Sequence, residues 1–209
     1  FFSLLYSIGR IEEASIVLQQ FEDLKRKLTE KSEEDRLGIR FVRGTIAGSI
    51  GLLGNLDYYI KAGLLGWRPP HKIIMLVSDD IPISNRCFLD YWCQYITVIS
   101  DPNTIKMLSP MVKCLEDPIN WALTLNGQAM FVSAANTMVQ KQWDDEKRPP
   151  LMTNLFTRDY DRGWQCLEEL GIPRDAWFVC LHVREPGFKD IGLKTDSYRN
   201  ADIETYLPA

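Results

Sequence analysis

Three stretches of this chain have residue types and spacing that could do chemistry. His182-Val183-Arg184-Glu185-Pro186-Gly187 sets an imidazole and a guanidinium two residues apart. In an extended segment both side chains then project to one side. A guanidinium is a fixed fork of donors suited to phosphate oxygens. The alternative is a hydrogen-bonded core histidine, with Arg184 paired to Glu185 or Asp190. Gly44…Gly48-Ser49-Ile50-Gly51-x2-Gly54 brings backbone N–H groups where an anionic or sugar ligand can approach closely. It lacks the Gly-Lys-Ser/Thr of a Walker loop and the G-x-G-x-x-G spacing, and a tight turn packed for its own sake would look the same. Asp196-Ser197-Tyr198-Arg199-Asn200-Ala201-Asp202 precedes an expected helix near Ile203, where Asn200 or Asp202 could simply cap.

Other acidic and nucleophilic signals carry less. Asp159-Tyr160-Asp161 is a DxD pattern, the kind that holds a divalent ion against a sugar-nucleotide, but it opens an expected helix between Arg158 and Arg162. Acidic residues suit a first helical turn for dipole reasons. Ser78-Asp79-Asp80 follows an expected strand without a nearby Glu or His to complete a metal set. The two histidines, His71 and His182, make no zinc constellation, and no G-x-S-x-G elbow is present. No metal site is expected.

The elements that must position these groups follow from periodicity. Phe1–Ile8 reads as a short apolar helix closed by Gly9. Residues 11–28 predict an amphipathic helix with Ala14, Val17, Leu18, Phe21, Leu24 and Leu28 on its core face. Gly9-x4-Ala14-x3-Leu18 resembles the second half of a tetratricopeptide repeat, as would any amphipathic hairpin. The mixed charges of Lys25–Arg36 read as a helix end and linker. Beyond them the rhythm changes to strand (39–42), loop (44–48), helix (50–64), strand (72–77), helix (85–96), strand (97–99) and helix (103–115), with a break demanded at Pro110. Residues 117–150 are harder to place. Helices are expected over 132–143 and 158–170, and a β-rich run over 177–183. Alternating strands and helices predict an α/β, Rossmann-like doubly wound sheet.

Composition sets the class. The 209 residues hold 24 Lys+Arg against 28 Asp+Glu, a formal charge of −4, with 45% hydrophobic and 25% charged residues. These are globular proportions, and the acidity argues against a nucleic-acid partner. No apolar run reaches the roughly 18 residues of a membrane span. Five well-separated cysteines (Cys87, Cys93, Cys114, Cys166, Cys180) predict small buried hydrophobes in a reducing cytosol, not a disulfide framework.

Phe178–Glu185 followed by Asp196–Ile203 resembles a family of bacterial surface-polysaccharide glycosyltransferases. So does Ile50-Gly51-x6-Asp57-Tyr58-Tyr59-Ile60-Lys61 with Leu64-Leu65-Gly66-Trp67. Members often carry tetratricopeptide-like repeats before a GT-B catalytic part. The resemblance implies a sugar-nucleotide donor, a glycan or polysaccharide acceptor and no metal cofactor. The His-x-Arg element is similar to one in fucosyltransferase-like enzymes, which makes Arg184 the group that neutralises charge on the departing diphosphate. His182 would then shape or hydrogen-bond that site, and Arg199 and Asn200 would lie on the donor side. Gly48, Gly51 and Gly54 would form the acceptor-side loop. Relatives are expected to have a polar residue, often His, after the loop glycine where this chain has Leu52 and Leu53. That departure leaves Asp57 as the nearest acid/base candidate.

The expected organisation is a repeat tail (1–36), a Rossmann-like acceptor-side domain (37–173) and the opening strand of a nucleotide-sugar domain (174–209). The chain reads as a piece of a longer protein, inactive alone, in the cytoplasm or peripheral at the inner membrane. The rival is a non-catalytic repeat plus Rossmann-like scaffold that binds protein or carbohydrate, with its protein partner met along the N-terminal helices.

Overall fold

The computed structural model describes residues 2–116, 124–125, 128–183 and 201–206. The chain divides into two compact units, 1–153 and 154–209. The first is mixed α/β. It opens with α1 (Phe2–Ser7), α2 (Ile11–Thr29) and the single turn α3 (Glu33–Arg36). A sheet follows, built from β1 (Ile39–Arg43), β2 (Lys72–Leu76), β3 (Ile96–Ile99) and β4 (Leu115–Glu116). All its pairings are parallel and the spatial order is β3-β2-β1-β4. That order reproduces the first four strands of a Rossmann-type sheet. α4 (Ile50–Gly54) and α5 (Leu56–Leu64) connect β1 to β2, α6 (Arg86–Trp92) connects β2 to β3, and α7 (Pro102–Leu108) leads towards β4. A small antiparallel pair, β5 (Thr124–Leu125) and β6 (Gln128–Ala129), precedes α8 (Val132–Asp145).

Register explains the core. Val42 pairs with Met75 and Arg40 with Ile73, while Ile73 and Met75 pair with Ile96 and Val98. Paired residues of parallel strands share a face, and on it Val42, Ile73, Met75, Ile96 and Val98 form one core with Leu56, Ile60, Ala135, Val139 and Trp143 of α5 and α8. Burying that face drives the sheet together, because apolar area removed from water is the dominant favourable term. On the other face Ile39 and Phe41 are buried, but Lys72 and Thr97 are exposed and Ile74 and Leu76 half-buried. Burial thus alternates along β2, and the continuous apolar run does not mean a strand covered on both sides.

Two glycines are required by geometry. A Cβ on Gly44, directly after β1, would fall 2.0 Å from the Leu76 carbonyl oxygen. Gly66 closes α5 at φ +77°, with Gly66 N–H and Trp67 N–H bonding back to Gly63 and Ala62.

Several expectations are corrected. The predicted 50–64 helix is two helices broken at Asn55, and α7 ends at Leu108, where a 3-10 turn over Ser109–Met111 absorbs Pro110. The core face of α2 is rotated from its apolar stripe. Ala14, Leu18, Glu22 and Thr29 are buried, while Phe21, Leu24 and Leu28 are exposed. Four of the five cysteines are exposed and Cys114 is half-buried; all five are thiols.

The second unit contains α9 (Thr157–Glu169), capped at Gly171 (φ +82°), and a 3-10 turn over Ile203–Tyr206. The run 177–183 is not a strand. Trp177 is 88% and Val179 73% exposed, and no described segment pairs with them. A β-prone segment needs a neighbour for its backbone N–H and C=O groups, and composition alone does not supply one. Asp202 acts as a local cap, its carboxylate accepting from Glu204 N–H at 3.0 Å. Among the described residues no helix is long and apolar enough to cross a membrane.

Candidate functional site

In an open parallel sheet, ligands gather at the carboxyl ends of the strands where the order reverses. Here the chain passes from β1 to β2 on one side and returns to β4 on the other, so the reversal lies between β1 and β4. Glu116 ends β4 at that place. It pairs with Val42 and therefore shares a face with Val42 and Arg40, the face that α5 covers.

Helices from two directions fix its carboxylate. The Tyr59 hydroxyl of α5 donates to Glu116 Oε2. Lys25 Nζ of α2 lies 3.5 Å from Glu116 Oε1 and 3.3 Å from Glu22 Oε2. Arg68, on the turn after α5, donates from Nη2 to the Tyr59 carbonyl at 2.7 Å and stacks its guanidinium 3.5 Å from the Tyr59 ring centre. Arg40 Nη2 meets Asp35 at 3.1 Å.

The electrostatics follow from this packing. Burial works against ionised Glu116, but Lys25, Arg68, the Tyr59 hydroxyl and Arg40 outweigh it and hold the carboxyl below the ordinary glutamate value. Burial, then the Glu116 charge, push the Tyr59 phenol well up. Lys25 is raised, since Glu116 and Glu22 outweigh its burial. His71, half-buried near Arg40 and Arg68, is lowered by burial first and those two cations next. Glu116 is thus a fixed anion with both oxygens engaged. It can orient neighbouring donors, but it is poorly suited to take a proton from a substrate.

The other carboxyl-edge loops lie after β1 and β2. Gly48 ends the 3-10 turn over Gly44–Gly48, and Gly51 and Gly54 lie within α4. A Cβ would approach Pro82 O only to 3.6 Å at Gly48 and Ser49 Oγ only to 3.8 Å at Gly51, and at Gly54 it would meet nothing within 4 Å. Gly44, not these three, is sterically required. Ser84 ties the two loops together, its N–H and hydroxyl both bonding the Ala47 carbonyl. Beside them a shallow depression of about 310 Å³ is lined by Ile50, Asn85, Cys87, Phe88 and Tyr91. Asn85 is occupied there in capping α6 through Phe88 N–H at 2.8 Å.

Asp57 lies in the first turn of α5, 2.8 Å from Lys61 Nζ, and accepts from Gln140 Nε2 at 2.7 Å. Lys61 in turn donates to Gln140 Oε1 at 2.9 Å, so this network joins α5 to α8. His182 belongs to the second unit and is exposed. Arg184, Arg199 and Asn200 lie outside the described residues. Asp159 stands in the first turn of α9 beside Arg158 at 3.4 Å. Among the described residues no three His, Cys, Asp or Glu side chains gather so as to hold a metal ion.

Sequence reading missed Lys25, Tyr59 and Glu116. For Lys25 alone the spacing carries a signal, once the inward side of α2 is known. Glu22 and Lys25 continue the Ala14–Leu18 row at i+4 and i+7 from Leu18, two charges on an inward helical row. Compared with family models, curated proteins and solved structures, the chain matches none.

Proposed function

We propose that this chain carries the acceptor-side, Rossmann-like part of a sugar-nucleotide-dependent glycosyltransferase of GT-B type. Transfer runs to a glycan or polysaccharide acceptor, with Arg184 assisting departure of the diphosphate. The observation that supports this reading is the parallel sheet in the order β3-β2-β1-β4, with its loops after β1 and β2 tied side by side at the carboxyl edge. The resemblance of 178–203 to surface-polysaccharide glycosyltransferases supplies the reaction class, and a fold alone does not. In this reading the Gly48–Gly54 loop and the adjoining depression face the acceptor. His182, Arg184, Arg199 and Asn200 belong to the donor side.

Turnover of nucleotide-sugars by the longest natural form of the protein tests this. An Arg184→Ala change should lower kcat by about 10²-fold or more, the usual effect of removing a group aimed at developing charge. Equal turnover by variant and parent removes Arg184 from the mechanism.

A second reading has its own observation. Leu4, Ile8, Ile11, Leu24 and Leu28 are all at least 45% exposed along α1, α2 and the turn between them, as expected of a non-catalytic scaffold with a helical docking face. Transfer or hydrolysis of any nucleotide-sugar contradicts that reading.

A further inference from the structure

α2 reaches the sheet through charge, and the cluster it forms there has an uneven account of partners. Lys25 Nζ bridges Glu22 Oε2 (3.3 Å) and Glu116 Oε1 (3.5 Å), with all three side chains no more than 15% exposed. Glu116 keeps a second donor in Tyr59. Glu22 does not, because its Oε1 is buried without a hydrogen-bond partner. Among the described residues, Glu116 is one of two by which β4 pairs with β1, so what holds its carboxylate helps to hold that pairing. The amide before β4 is tied to the same helical layer, Lys113 N–H donating to the buried Glu34.

We propose that Glu22 and Lys25 form a proton-operated latch between α2 and β4. Protonation of Glu22 removes one carboxylate's competition for the Lys25 ammonium, which then holds Glu116 more strongly and tightens β4 on the sheet; ionisation of Glu22 restores that competition and loosens it. The groups facing this cluster are Asp23 on α2 itself, Glu116 and Cys114 at the end of the sheet, Tyr59 and Arg68 from α5 and its following turn, Arg40 from β1, His71 just before β2, and Glu34 from α3 by way of Cys114. Burial first, with help from Glu116 and Asp23, outweighs Lys25 and raises Glu22, while Glu116 is lowered. On acidification Glu22 is therefore the first of the two to take a proton. The folded state binds that proton at higher pH than the unfolded chain does, so the Glu22 contribution to stability grows as pH falls and is lost as pH rises through its raised value. Glu116 works in the opposite direction, and only at lower pH. The device does not depend on the function proposed above.

Hydrogen exchange of the peptide holding Leu115 and Glu116 tests it on the whole chain, with rates corrected for intrinsic exchange and a β2 peptide as internal reference. Going from about pH 8 to about pH 5, protection of the β4 peptide should rise about fivefold relative to the reference, the factor for roughly 1 kcal/mol of local opening. Glu22→Gln, uncharged and of the same shape, should show the high protection at both pH values. Lys25→Met, which removes the ammonium that holds Glu116, should lower protection at both pH values. Protection that falls on acidification, or that keeps its pH dependence in Glu22→Gln, overturns the latch. Should either variant fail to fold, the carboxyl-carbon NMR titration of Glu22 in the unaltered chain decides. A midpoint above the ordinary glutamate range supports the latch, and one at or below it overturns the latch.

Discussion

Tyr59 is the residue on which the switch point turns. Its ring packs in the core under Arg68, while its hydroxyl reaches the buried Glu116. Tyr59→Phe keeps the ring and removes the donor, leaving part of a buried carboxylate unserved. Losing a hydrogen bond to a charged group costs about 1.5–3 kcal/mol, which urea unfolding at neutral pH should report with little change in slope. The acid limb of the stability curve checks the same carboxylate. Since the folded-state value of Glu116 is depressed, its contribution is present above the ordinary glutamate value and lost as pH falls through the depressed one. Glu116→Gln should flatten that limb. The sequence did not point to these residues because their meeting depends on register. Only the pairing of Val42 with Glu116 puts the carboxylate on the α5 face, and the described part of β4 is two residues long.

At the scale of elements, much was legible. β1, β2 and β3, α2 and α9 follow from periodicity and from Gly and Pro punctuation, and Gly9, Gly66 and Gly171 take the positive φ that a helix end requires. Which side of α2 faces inward was not legible. Its apolar stripe and its buried row differ, because the sheet-side neighbours of Lys25 and Gln19 are polar: Glu116 and the Ala129 N–H, which donates to Gln19 at 2.8 Å. Paired substitutions separate the two orientations. Leu18→Ala should cost about 2–5 kcal/mol as a core truncation, whereas Leu24→Lys should stay within about 0.5 kcal/mol. Thermal or urea unfolding of both variants reads this directly, and equal losses would place the apolar stripe inside. The run 177–183 shows the limit from the other direction: strong β composition does not make a strand where no described strand pairs with it. Of the candidate site, the loop after β1 was legible as a βα turn, but the residue that geometry demands there is Gly44.

For the whole molecule, the fold narrows the function without naming it. A parallel sheet whose order reverses between β1 and β4 offers one carboxyl edge for ligands, and a shallow depression lined by Ile50, Asn85, Cys87, Phe88 and Tyr91 lies beside the loops of that edge. The donor side of the proposal rests on His182, Arg184, Arg199 and Asn200, in the 154–209 unit. Its central claim, that a nucleotide-sugar is the natural ligand, is tested most directly by thermal unfolding of the longest natural form against a panel of nucleoside diphosphates and their sugar conjugates. The account predicts selective stabilisation by one nucleotide family, about 2.7 kcal/mol at 100 times the Kd, and its loss in Arg184→Ala. Unchanged unfolding across the whole panel would contradict it.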